Sequence, residues 1–459
     1  MPTVEEYIAD NQAIFLEDLK EFVRIPSISA LPEHREDMVR CAEYAAGEMR
    51  RIGMTRAELL PTGGPPLVYG EWLGAPGAPT VLVYGHYDVQ PVDPLELWTT
   101  PPFEPDIRGN EMYARGAVDD KGQVFMHWKA IEAHMKAHGK LPVNLKMFIE
   151  GEEEVGSPHL DQFLKGHTDL LKADVAVVSD SGWLDRGIPS ITYGLRGLTY
   201  IQVNLKGSDS DLHSGGFGGA VANPIQILAE IIAGLKDEKG RVTVPGFYDR
   251  VRPLSAEEKR SLAGLPFDEE KYLKQLGSPA LFGEEGYTTL ERTWARPTLE
   301  INGIWGGFTG EGSKTVLPAR ASAKMSCRLV PDQDPEEITN LLEARLRELC
   351  PPTVTMEIIR MAGMGKPAMA PIEHPAVQAA ARALGKAFQK EAVFVRSGGS
   401  VPVVASMADL LGLPVVMMGI GLPDEHAHAP DERLDLGNFF GGIRAAAILW
   451  DELAATPLK

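Results

Sequence analysis

The sequence predicts an α/β protein in which a mixed, mostly parallel sheet is flanked by helices and a second, α+β unit is inserted into it. Three observations lead there. The chain has 459 residues, more than a single hydrophobic core usually organises. Short β-rich runs at residues 80–84 (TVLVY), 145–149 (LKMFI) and 174–178 (DVAVV) alternate with helical stretches such as 121–138, the pattern of a parallel sheet covered by helices. The texture then changes at Gly194 and changes back after a Gly/Pro/Met-rich stretch at 361–371.

Taken in order, residues 4–24 place Ile8, Phe15, Leu19 and Phe22 among acids and lysines at roughly helical spacing and stop at Pro26, which reads as one amphipathic opening helix. Each of the three β-rich runs is followed at once by His or acidic residues, and parallel sheets carry their chemistry just beyond strand carboxyl ends. From Leu195 the alternating run 200–206, a helix after Pro224, Gly/Pro-punctuated loops and a strand-like 321–330 form the second unit. The expected division is therefore 1–194 and 362–459 for the first domain and 195–361 for the inserted one. The most apolar stretch, 401–421, is interrupted by Pro402, Asp409 and Pro414; it reads as strand, turn and strand, and not as a membrane span.

Composition narrows the function. A formal net charge of −19 repels phosphate backbones and anionic lipid, so neither nucleic acid nor membrane is an expected partner. Three cysteines (Cys41, Cys327, Cys350) without paired spacing indicate neither a disulfide framework nor a thiolate zinc site. The acidic N-terminus has no signal-peptide pattern, and a reducing cytoplasm is the expected location.

Five loops then carry candidate chemistry. His86-Tyr-Asp88 follows the first β-rich run, where an imidazole could bind metal and a carboxylate fix its tautomer. In Asp119-Asp120, Asp120 could cap the helix that begins at Lys121, leaving Asp119 to bridge cations. Glu152-Glu153-Glu154 could be a solvated charge run, but at a strand terminus metal ligation and general-base duty compete with that reading. Ser179-Asp180 and Glu425-His426-Ala-His428 complete the set. Any one of these is ordinary loop chemistry; five strand-end loops supplying His, Asp and Glu converge on a mixed nitrogen and oxygen site suited to zinc, cobalt or manganese. Three lookalikes fall away. The stretch 307–315 spaces its glycines and Lys314 wrongly for a phosphate loop, His127, His134 and His138 share a face that reads as solvated, and Gly398-Gly-Ser400 lacks the nucleophile-elbow spacing.

The segments Gly85-His-Tyr-Asp-Val-Gln-Pro91, Arg115-Gly-x-x-Asp-Asp-Lys-Gly122, Glu153-Glu-x-Gly-Ser157, Ser179-Asp180, Ile191-Thr-Tyr-Gly-Leu-Arg-Gly197, Asp211-Leu-His-Ser-Gly215, Lys314-Thr-Val316, Cys327-Arg-Leu-Val-Pro331, Gly398-Gly-Ser-Val-Pro402 and Ala427-His428 stand in one order along the chain. Together they resemble the dinuclear-zinc exopeptidase family of cytosolic nonspecific dipeptidase, carnosinase, aminoacylase and the acetylornithine and succinyl-diaminopimelate deacylases, nearest the dipeptidase and carnosinase branch. The resemblance implies one metal on His86, Asp119 and Asp180 and a second on Asp119, Glu154 and His428, with Asp88 orienting His86. It makes Glu153 the general base and leaves Glu152 as the extra acid. It gives His213 the oxyanion, from a lid that also forms a homodimer, and gives Arg328, Thr315 and Ser400 the substrate, with Arg328 gripping its terminal carboxylate.

The expected protein is a metal-dependent dipeptidase acting on small peptides through a water activated by two divalent ions, zinc first and manganese or cobalt as alternatives. An N-acyl or N-carbamoyl amino acid amidohydrolase on the same scaffold is the alternative enzyme. A metal-dependent binding protein is the alternative outside catalysis.

Overall fold

The computed structural model describes residues 2–361 and 363–458. The chain divides into two compact units, one of residues 1–193, 370–395 and 403–459, the other of residues 194–369 and 396–402. The second unit thus extends past the expected 195–361. Residues 365–369 pair with 194–198 through the strand Ala368–Met369 and a bridge between Leu198 and Gly365.

In the first unit the sheet runs in the order Arg56–Leu60, Leu67–Trp72, Asn144–Glu150, Thr80–His86, Val175–Val178, Val415–Met417, Ser190–Leu195. Its four central strands, Asn144–Glu150 to Val415–Met417, are mutually parallel, and antiparallel pairings flank them. The central strands are buried almost throughout, as sheets covered on both faces must be. The helix Lys121–His138 lies against the strand Thr80–His86 and meets the helices Val4–Asp10, Gln12–Val23 and Leu436–Ala455. Gly85 makes the close approach possible, because a Cβ there would stand 2.3 Å from Cγ2 of Val124.

Four expectations are corrected here. The opening segment is two helices, Val4–Asp10 and Gln12–Val23, broken at Asn11, whose side-chain amide bonds back to the Tyr7 carbonyl. His127 and His134 are buried, not solvated. Each lodges Nε2 on an internal oxygen, the Ser179 hydroxyl at 2.7 Å and the Ala447 carbonyl at 3.0 Å. Asp120 does not cap its helix with its side chain; its Oδ2 accepts from the His86 backbone N–H at 3.2 Å. The first half of 401–421 is the helix Pro402–Leu411, where proline suits the first turn and Val403, Val404 and Met407 fall on one buried face. Among the described residues no helix is long and apolar enough to cross a membrane.

The second unit is a four-stranded antiparallel sheet in the order Thr298–Gly306, Arg320–Leu329, Gly197–Lys206, Thr355–Arg360. The helices Pro224–Ala233 and Pro335–Leu349 cover one face, over a core that includes Val203, Leu205, Leu228, Met325 and Leu342. The strand Gly197–Lys206 alternates buried and half-buried along its length, the signature of a sheet with one face covered. The edge strand Thr298–Gly306 leaves Ile304 and Trp305 exposed.

Candidate metal centre

The parallel strands of the first unit end together, and the loops leaving them carry the polar cluster. His86 is the last residue of its strand and pairs in register with Glu150, the last residue of the next. Asp180 follows the strand Val175–Val178, and Glu153 and Glu154 open a tight turn, Glu153–Val155, after the strand Asn144–Glu150. Asp119 precedes the helix Lys121–His138. His428 sits in the loop after Val415–Met417 at φ 64°, a left-handed conformation that a histidine holds only where its surroundings enforce it.

Two groups of candidate ligands result, His86 with Asp119 and Asp180, and Asp119 with Glu154 and His428; within each, the ligand atoms lie within 4.8 Å of one another. Asp119 divides its oxygens between them. Oδ1 is 3.2 Å from Nε2 of His86 and Oδ2 is 2.8 Å from Nε2 of His428. His428 Nε2 is also 3.2 Å from Oε2 of Glu154, and His86 Nε2 is 4.0 Å from Oδ2 of Asp180. His86 Nε2 is fully buried and finds no aligned hydrogen-bond partner, which is how a ligand nitrogen looks when its partner is a cation. Nitrogen and oxygen donors at these spacings fit a pair of divalent ions.

The electrostatics point the same way. Burial, and then the charge of Asp119, push the Asp180 carboxyl up to about 7. Burial foremost, with Asp180, Glu154 and Asp119 adding, holds the Glu153 carboxyl well above its usual range. Hydrogen bonds to Asp119 and then Glu154 raise His428 to about 11. So many acids share this space that, without cations, protons must sit among them. Metal binding at pH 7 is therefore expected to displace at least the His428 proton, so that affinity falls as pH drops below about 11 and falls more steeply below about 7, where Asp180 also protonates. Calorimetric titration of metal-stripped protein in buffers of different ionisation heat checks this; an apparent enthalpy independent of buffer would contradict it.

The expected helpers are also placed. The Nδ1 of His86 lies 3.1 Å from the Asp88 carbonyl and 3.4 Å from its Oδ1. The Asp88 carboxylate accepts from the backbone N–H groups of Glu153 (3.2 Å) and Glu154 (3.1 Å) and from the Ser29 hydroxyl (2.6 Å). Asp88 thus steadies both the histidine and the acidic turn. Glu152 turns to His159, whose Nδ1 is 2.8 Å from its Oε2. No described group donates a hydrogen bond to the Glu153 carboxyl. His426 lies outside both ligand groups.

Two residues around the ligands escaped the sequence reading. Gln90 donates to Oε2 of Glu154 at 2.7 Å. Glu432, fully buried, accepts from Nη1 of Arg115 at 2.8 Å and from the backbone N–H groups of Gly116 (2.9 Å), Val118 (3.0 Å) and Asp119 (3.2 Å). It ties the His428 loop to the Asp119 loop. Its one sequence signal is an acid that follows His428 closely, with an arginine opening the Asp119 loop. Glu432→Ala is expected to cost about 3–5 kcal/mol, because it strands the buried Arg115 guanidinium; denaturant unfolding of the metal-free protein measures it, and a loss under about 1 kcal/mol would contradict the clamp.

The remaining expected site residues belong to the second unit, where they form two pairs. His213 and Thr315 are exposed neighbours, with Ser214 N–H bonded to the Thr315 carbonyl at 3.0 Å. Nη1 of Arg328 donates to the Ser400 hydroxyl at 2.8 Å, and Ser400 donates onward to the Arg196 carbonyl at 2.5 Å.

The chain is similar to known metallopeptidases over most of its length. The model of Peptidase family M20/M25/M40 matches residues 82–452. The Cys-Gly metallodipeptidase DUG1 of Candida albicans is 34% identical over 451 residues, which span 94% of this chain and 92% of that protein. The structure of human carnosine dipeptidase 1 superposes with a TM-score of 0.88 at 32% identity, covering 98% of each chain. The metallo-carboxypeptidase Sso-CP2 of Sulfolobus solfataricus gives 0.88 at 35% identity, covering 96% of this chain and 99% of that one.

Proposed function

The chain belongs to peptidase family M20/M25/M40, and on that premise we propose that it is a dipeptidase cleaving the peptide bond of small free peptides. One observation carries the reading: Asp119 faces two ligand groups at once, and the acid beside them, Glu153, has no hydrogen-bond donor among the described residues. His86, Asp119 and Asp180 would hold one divalent ion and Asp119, Glu154 and His428 the other, zinc being favoured by the mix of imidazole and carboxylate. When bound, such a pair polarises the scissile carbonyl and lowers the pKa of the attacking water. Glu153 takes the proton of that water and returns it to the departing amine, a task suited to a carboxyl whose surroundings raise its pKa. Asp88 keeps His86 and the Glu153–Glu154 turn in place. Arg328, hydrogen-bonded to Ser400, would fork onto the substrate's terminal carboxylate, Thr315 would add a hydroxyl contact, and His213 would donate to the oxyanion.

A homodimer through the second unit completes the reading, supported by the edge strand Thr298–Gly306 with its exposed Ile304 and Trp305 and by exposed Phe308 nearby. Light scattering at twice 49.9 kDa is expected; a monomer at micromolar concentration would refute it. The unpaired cysteines, Cys41 and Cys327 buried, suit a reducing cytoplasm.

The test of function is a panel of free dipeptides, a tripeptide and N-acetyl amino acids, given to metal-stripped protein with zinc or manganese restored. Metal-restored cleavage of dipeptides is expected. Trimming of the tripeptide from its C-terminus would favour the carboxypeptidase activity named for the Sulfolobus protein. Cleavage of only the acylated set would replace the reading with an amidohydrolase, and cleavage of nothing would leave a metal-dependent binding protein.

A further inference from the structure

The second unit carries a half-open cleft of about 380 Å³ whose lining includes Arg196, Arg292 and Arg328, large enough for an amino-acid-sized ligand. Its other cations are already answered. Lys236 Nζ is 3.2 Å from Glu300, and the Arg296 fork meets both oxygens of Glu284 at 2.7 Å. Arg196, Arg292 and Arg328 have no carboxylate within ion-pair distance among the described residues. Each is anchored by a neutral oxygen: Arg196 Nε on the Gly398 carbonyl at 3.2 Å, Arg292 Nε on the Glu284 carbonyl at 3.0 Å, Arg328 Nη1 on Ser400.

Arg196 and Arg328 are the adjacent pair. Burial, and then the Arg328 charge, lower Arg196 to about 10. The chain makes room for this group, since a Cβ at Gly398 would stand 2.9 Å from Nη2 of Arg196. A guanidinium carries five N–H donors, and two half-buried, mutually repelling ones leave a deficit of negative charge that one carboxylate satisfies only in part.

We propose that Arg196 forms a second anion subsite beside Arg328 and selects dipeptides whose C-terminal residue carries an acidic side chain. The inference rests on the dipeptidase reading, in which Arg328 takes the α-carboxylate. The side-chain carboxylate, one or two methylenes from the α-carbon, then falls to Arg196. The same geometry disfavours a cationic side chain at that position through like-charge repulsion.

The test compares kcat/KM for Ala-Glu and Ala-Gln on the metal-loaded full chain. A charge-assisted bond in place of a neutral one is expected to favour Ala-Glu by about tenfold or more. Arg196→Gln is expected to erase the ratio, whereas Arg196→Lys, which keeps the charge, retains part of it. Equal cleavage of the two substrates by the native enzyme, or a ratio that survives Arg196→Gln, would overturn the subsite and leave the dipeptidase reading intact. If neither substrate is cleaved, it is that reading which fails, and calorimetric binding of L-glutamate against L-glutamine still decides the subsite. Tighter glutamate binding that Arg196→Gln removes supports it, and equal binding overturns it.

Discussion

Glu153→Gln is expected to lower turnover by about 10²–10⁴-fold while both metal ions remain bound. Glutamine keeps the shape of the side chain and removes only its capacity to take a proton. Because Glu153 belongs to neither ligand group, metal content measured by mass spectrometry should stay at the native value, and KM should change little beside kcat. The three consecutive acids make the comparison sharp. Glu154→Gln, in the second ligand group beside His428, is expected to lose metal along with activity. Glu152→Gln, at a carboxylate paired with His159, is expected to leave both nearly unchanged. Metal loss in the Glu153 variant would make Glu153 a ligand and move the base elsewhere.

Asp119→Ala is expected to abolish activity by emptying both ion positions together. Asp119 is the one residue common to the two groups, with Oδ1 toward His86 and Oδ2 toward His428. Its carboxyl is held below the usual carboxylate range by the His428 and His86 contacts, although burial opposes them. Removing it would take a candidate ligand from each ion at once. Asp180→Ala and His428→Ala each touch one group, so each is expected to leave about one ion per chain. Metal-to-protein ratios after dialysis against a weak chelator separate the cases; two ions retained by Asp119→Ala would remove the bridging role. Because ions stabilise only the folded state, the same variant is expected to unfold at the midpoint of native protein treated with chelator, whatever the zinc concentration.

How much of this centre was legible in the sequence follows from where its parts sit. His86, Asp180 and Glu154 stand at or just past the ends of strands, Asp119 lies at the start of the helix Lys121–His138 and His428 in the loop after Val415–Met417, and β-rich runs are visible as runs, so their convergence could be read before any coordinates. The helix Lys121–His138 was visible as a helix, but the burial of its histidine face was not, because periodicity reports polarity and not the partner that satisfies it. Lys121 is fully buried with its ammonium on the carbonyls of Phe22 (3.1 Å) and Ile25 (2.6 Å), contacts with no local trace in the sequence. Glu432 was hidden for the same reason, since its four donors lie in the Arg115–Asp119 loop, far away along the chain. Residues 401–411 misled differently: a short apolar run of valines and a methionine carries no period that separates helix from strand.

The candidate ligand set that meets at Asp119 would also constrain the order in which the protein can come into being. Four of its candidate ligands, His86, Asp119, Glu154 and Asp180, are made before residue 194, and the fifth, His428, comes after the whole second unit. So do Glu432, which shapes the Asp119 loop, and the helix Leu436–Ala455, which covers the central helix. During synthesis an emerging chain therefore passes through a long interval with one ligand group complete and the other short of its histidine. An ion taken up in that interval would be held at a half-built site, and the second could be secured only when the last segment threads back, so that charging with metal becomes a late checkpoint of folding.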